Sequence, residues 1–139
     1  MNTLSSLKRN ALIAMIAGFS LASPVVAQDV TEGEALYLNH CADCHGVAVD
    51  GNGSLANAMI MKPKNLRLLA QQNDGVFPML TVIKRIDGRD PLVSHGSPMP
   101  VFGQYFEGDD TALKTASGQP VMTSRSIADL VAYLQEQQQ

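Results

Sequence analysis

The chain has 139 residues, with ten Lys and Arg against thirteen Asp and Glu for a formal net charge of −3, and 45% of its residues are hydrophobic. That length and composition suit one folded core rather than two, and the acidic balance excludes general nucleic-acid binding as its role.

Taken in chain order, Lys8 and Arg9 precede an apolar run from Ala11 to Leu21, and Pro24-Val25-Val26-Ala27 supplies small residues for cleavage. This pattern predicts a cleaved bacterial-type signal peptide over residues 1–27, hence export to the periplasm. The apolar stretch is too short for the roughly 20 residues of a membrane-spanning helix, and no cysteine follows it to take a lipid, so no stable membrane anchor is expected. Two of the ten basic residues and no acidic one lie in this segment, which takes the remaining domain, 28–139, from −3 to −5. A domain that small buries a modest share of its surface, so a bound cofactor can decide whether it folds.

Thr31-Glu32-Gly33-Glu34 reads as a capping box with Thr31 as cap and a helix from Glu32. Continued, that helix puts Gly33, Tyr37, Cys41 and Cys44 on one face. Residues 46–53, with three glycines, predict a loop. Asn65 is read as the cap of a short helix through Leu66, Leu68 and Leu69, with Gly75 at its left-handed exit. Pro78 is placed at the first position of a further helix with the stripe Met79, Val82, Ile83 and Ile86 and a stop at Gly88. Prolines and glycines between Pro91 and Phe106 predict a shaped loop, and Thr111 to Thr123 reads as either a small hairpin or an irregular flap. A last helix is predicted from a Ser126 cap with Asp129 at its third position and Ile127, Leu130, Val131 and Leu134 inside, ending in a frayed Gln135 to Gln139. Three or four helices with loops this long need something further to pack against.

Cys41-Ala42-Asp43-Cys44-His45 has the C-x-x-C-H spacing of covalent haem attachment. The thiols would add to the two haem vinyl groups, and His45, directly after the second, would reach the iron as a ligand. A Cys41–Cys44 disulfide, a redox-active dithiol and half of a zinc site are the competing readings. There is no second cysteine pair to complete zinc and no α/β pattern to support a thioredoxin-like dithiol. For the sixth iron position the residues available are Met59, Met61, Met79, Met99, Met122, His40 and His95. Met99 is preferred because Pro98 and Pro100 stiffen its backbone, while His95 as a second imidazole and Met99 as a packing residue remain open.

With the signal segment, the attachment motif near the start of the remaining domain and Met99-Pro100 further on, the chain resembles the class I c-type cytochromes, periplasmic bacterial monohaem members in particular. The segments Gly75-Val76-Phe77-Pro78, Ile86-Asp87-Gly88-Arg89 and His95 to Gly103 look like theirs. The resemblance implies an all-α cytochrome c fold, three to five helices with long loops wrapped around one covalently attached haem c. It implies that the first and last helices cross, with Gly33 and Tyr37 on one and Leu130 and Tyr133 on the other. Four-helix cytochromes of the c′ type carry the motif near their C-terminus and are disfavoured. The activity implied is one-electron transfer through iron held by His45 and Met99, with no catalytic residues. A haem subunit of a dehydrogenase or oxidase, or a haem enzyme with an open sixth position, is the alternative. Redox proteins are the expected partners and a monomer the expected state. Residues 62–89 carry Lys62, Lys64, Arg67, Lys84, Arg85 and Arg89 against Asp74 and Asp87, a local +4 that can steer an acidic partner or serve only as a solvated face. The long stretch between Met99 and the last helix departs from the smallest family members and leaves residues 104–124 as a possible partner-specific flap.

Overall fold

The computed structural model describes residues 28–90 and 99–139. The signal segment, Pro98 and His95 therefore lie outside the described residues. Among the described residues, four α-helices, α1 (Val30–His40), α2 (Ala42–His45), α3 (Met79–Asp87) and α4 (Arg125–Glu136), are joined by loops with three short 3-10 turns, and one antiparallel ribbon pairs β1 (Asp110–Lys114) with β2 (Pro120–Ser124). The helical architecture with long loops expected from the sequence is the architecture observed, with the ribbon added to it.

Helices α1 and α4 cross, and the crossing is closed by backbone approach. A Cβ on Gly33 would sit 2.0 Å from the Asp129 carbonyl oxygen, so only glycine lets the two helices meet there. Tyr37 and Tyr133 pack across the same junction with ring centroids 5.2 Å apart, while Leu130, buried alongside, turns toward the central cavity.

The caps differ from the sequence expectation at both helices. Asp29, not Thr31, caps α1, its carboxylate accepting from the Thr31 and Glu32 amides at 3.0 and 3.1 Å. Ser124, not Ser126, caps α4 by accepting from the Ile127 amide. Asp129 is thereby released from a capping box. At 3% exposure it accepts the Asp29 amide at 2.8 Å, joining the start of α1 to α4. An alternative acceptor two residues upstream, and a partner 100 residues away, decided both cases.

The first helix also stops earlier than its apolar periodicity suggests. Cys41 leaves the helical conformation at φ −121°, so Cys44 and His45 belong to the separate turn α2. Beyond Asn65, whose side chain accepts from the Arg67 amide at 3.0 Å, two 3-10 turns replace the expected helix, and Gly75 is left-handed as expected. Pro78 immediately precedes α3 rather than opening it, and Gly88 ends it at φ +85°. Val82, Ile83 and Ile86 are buried as their spacing predicts.

Residues 110–124 form a hairpin, with Ala112 opposite Met122 and Leu113 opposite Val121. Leu113, Val121 and Thr123 point inward and their neighbours outward. The C-terminal tail is tied down rather than frayed. The Gln138 amide donates to the Leu66 and Leu134 carbonyls at 2.9 and 2.7 Å, and its carbonyl accepts from the Ala70 amide at 2.9 Å. Composition suggested fraying, but one side chain that both donates and accepts finds three backbone partners here.

Candidate functional site

The loops enclose a predominantly apolar cavity of about 320 Å3. Cys41, Cys44 and His45 line it from the α1–α2 junction, Leu66 and Leu69 from the 3-10 segment, and Val82 and Ile86 from α3. Met99, Pro100 and Phe102 line it from the segment after α3. The attachment motif and the preferred methionine thus meet at one cavity, as do Met59, Met61 and His40 among the other residues considered. Met79 and Met122 do not line it; Met122 sits 54% exposed on the hairpin.

The motif is held by a dense set of backbone bonds. The His45 and Cys44 carbonyls accept from Gly51 and Gly53 at 2.7 and 3.2 Å, the Asp43 carbonyl from Leu55 at 2.9 Å, and Leu66 closes the loop onto the Val49 carbonyl at 3.0 Å. Glycine is required where this loop folds back, because a Cβ on Gly53 would lie 2.2 Å from the Asp43 carbonyl oxygen. The Tyr37 hydroxyl donates to the Gly46 carbonyl at 2.7 Å, and burial raises its pKa. The loop after His45 is thereby tied to α1.

His45 has its Nδ1 3.0 Å from the Lys64 carbonyl oxygen. A carbonyl can only accept, so Nδ1 carries the proton and Nε2 keeps its lone pair, the tautomer that ligates a metal. Burial lowers the His45 pKa, opposed by that hydrogen bond, which favours the neutral imidazole. Cys41 and Cys44 are free thiols, and burial followed by the neighbouring Cys44 pushes Cys41 up to about 11. Cys41 is therefore a neutral side chain, and both thiols face an apolar space. Among the described residues no three His, Cys, Asp or Glu side chains converge as a metal site would need, so the zinc arrangement is not assembled.

The cavity's cationic lining is Lys62, Lys64 and Arg85, of which Arg85 pairs with Asp90 at 3.0 Å. The local positive excess seen in the sequence thus reaches the cavity wall in part. Arg89 instead binds Asp87 and donates to the Met122 carbonyl at 3.0 Å, fixing the hairpin to the end of α3. Sequence reasoning missed the Lys64 carbonyl, because a backbone acceptor leaves no mark on residue type. It also missed Leu66, Leu69 and Phe102 as cavity walls, whose only sequence signal was apolarity, in a short predicted helix for the leucines and in a loop for Phe102.

These residues fit a flat, apolar, iron-bearing macrocycle: two thiols and a lone-pair imidazole stand at one cavity, with soft thioethers in its lining. A model of the cytochrome c family matches residues 30–138. No curated protein and no solved structure gives a match. With the family model covering well over half of the chain and a cavity of the required chemistry beneath its motif, the chain belongs to the cytochrome c family and is a haem-binding electron-transfer protein.

Proposed function

We propose that the chain is a periplasmic one-electron carrier holding a single haem c through thioethers at Cys41 and Cys44, with His45 and Met99 as the iron ligands. The observation that carries this reading is the His45–Lys64 hydrogen bond, which leaves Nε2 as a ligating lone pair at a cavity shared with both cysteines and Met99. Haem supplies the one-electron ferric–ferrous couple and needs no proton donor or substrate pocket from the protein.

The chain's own residues do the rest. Cys41 and Cys44 keep the cofactor from dissociating, and Lys64 orients the His45 ring. Met99, a softer donor than imidazole, favours the ferrous state and raises the potential. Leu66, Leu69, Val82 and Phe102 exclude water, which limits reorganisation when charge changes. Lys62 and Lys64, on a domain of net charge −5 without the signal segment, provide a positive rim for an acidic redox protein, and transfer rates should fall as salt rises.

Substituting Met99→Ala tests the ligand set. The methionine–iron charge-transfer band in the far red should vanish and the potential should fall by on the order of a few tenths of a volt. Met59→Ala and Met61→Ala should retain the band. Persistence of the band in Met99→Ala, or ready carbon monoxide binding by the reduced wild type, would favour another ligand or an open-site haem enzyme.

A further inference from the structure

His40, the last residue of α1 and the neighbour of Cys41, packs edge-on into an aromatic cluster on the segment that carries Met99. Its ring centroid lies 6.1 Å from that of Phe102, 5.6 Å from Tyr105 and 5.4 Å from Phe106, with interplanar angles of 66°, 65° and 85°. Phe102 and Phe106 stack on each other at 5.6 Å, and the Tyr105 and Phe106 amides both donate to the Phe102 carbonyl at 2.9 and 3.0 Å. The cluster is therefore one tight turn. The Phe102 amide in turn donates to the Ile86 carbonyl at 2.8 Å, giving the segment a backbone anchor on α3. His40, Met99 and Phe102 all line the cavity.

We infer that His40 is a positioning residue, clamping the turn that follows Met99 against the cysteine-bearing end of α1 and so holding the methionine in reach of iron. The inference rests on the ligand reading proposed above. The chemistry of the contact is specific. Edge-to-face rings at these separations attract through the positive ring edge and the negative ring face, and three such contacts converge on one imidazole. The Ile86 bond and the close approach of Gly103 to the Asp87 carbonyl tie the turn to α3. The ring contacts of His40 tie the same turn to the end of α1. Each opening of the turn would withdraw Met99, and an added ligand binds only in proportion to the open population.

The test uses the haem-loaded full chain and added imidazole, which competes with methionine for ferric iron. His40→Ala should raise imidazole affinity on the order of tenfold and weaken the far-red band, through loss of three ring contacts. His40→Phe keeps a ring of similar shape and should restore both to within about twofold of wild type. Tyr105 is 75% exposed, so Tyr105→Ala removes one partner with little core disturbance and should raise the affinity by roughly threefold. That variant carries the test if His40→Ala fails to fold. A band that survives Met99→Ala would overturn the ligand reading and this inference together. A band lost in Met99→Ala, with His40→Ala and Tyr105→Ala binding imidazole as wild type does, would overturn this inference alone, as would failure of His40→Phe to restore it.

Discussion

The two walls of the cavity that carry the proposed iron ligands are built differently. The wall around His45 is backbone on backbone: Gly51, Gly53 and Leu55 donate main-chain bonds that fold the loop onto α2, Leu66 donates to the loop's own Val49 carbonyl, and even the imidazole is oriented by a carbonyl. The wall around Met99 is tied to α3 by the Phe102–Ile86 backbone bond and by the close approach of Gly103 to the Asp87 carbonyl, and it adds a cluster of side chains, the rings of His40, Phe102, Tyr105 and Phe106. Backbone contacts have nowhere to move, whereas side chains can repack.

Two glycines separate the walls most sharply. Gly53→Ala should destabilise the protein by about 3 kcal/mol or more, because the new Cβ meets the Asp43 and Ala42 carbonyl oxygens, at 2.2 and 2.6 Å, and neither can yield. Denaturant midpoints and the mass-determined fraction of chains carrying haem should both fall. Gly88→Ala, at the end of α3, should cost about 1–2 kcal/mol. There the obstacle is the Val101 side chain, 2.4 Å from the new Cβ but 48% exposed and free to rotate, so most of the penalty comes from the φ of +85°. Equal losses in the two variants would erase the distinction between the walls.

The smallest effect expected is on the acid side of stability. Asp50 accepts from the Asn52 side chain and amide at 2.9 and 3.0 Å, and those bonds hold its carboxyl below the usual value of 3.8. A depressed carboxyl contributes stability that is complete above its unfolded value and is lost as pH falls through the folded one. Urea midpoints should therefore drop slightly more steeply below about pH 4 in wild type than in Asp50→Asn. The carboxylate is open to solvent on a half-buried residue, so the change should be small and should shrink with added salt. A large acid sensitivity at Asp50 would mean that the His45 wall depends on a surface side chain after all.

What could be read from the residues follows the range of each interaction. The attachment motif, the buried stripe of α3 and the left-handed exits at Gly75 and Gly88 depend on neighbours within a turn or two, and all were legible. The caps at Asp29 and Ser124 were misassigned by two residues because several adequate acceptors stood in a row and tertiary contact chose among them. Asp129 makes the point most clearly: its spacing from Ser126 suits a capping box, yet it binds the Asp29 amide on another helix. Gln138 looked like part of a polar tail until its three backbone partners, two of them on a loop about 70 residues away, gave it a place.

By itself, then, the sequence determined that two thiols and an imidazole stand together, since groups within five residues arrive together however the chain folds. Only the tertiary structure decided the tautomer of His45, through a carbonyl 19 residues away, and the company kept by Met99 and His40, which are 59 residues apart along the chain. Such pairings are made by the packing of the whole domain, and no local spacing encodes them.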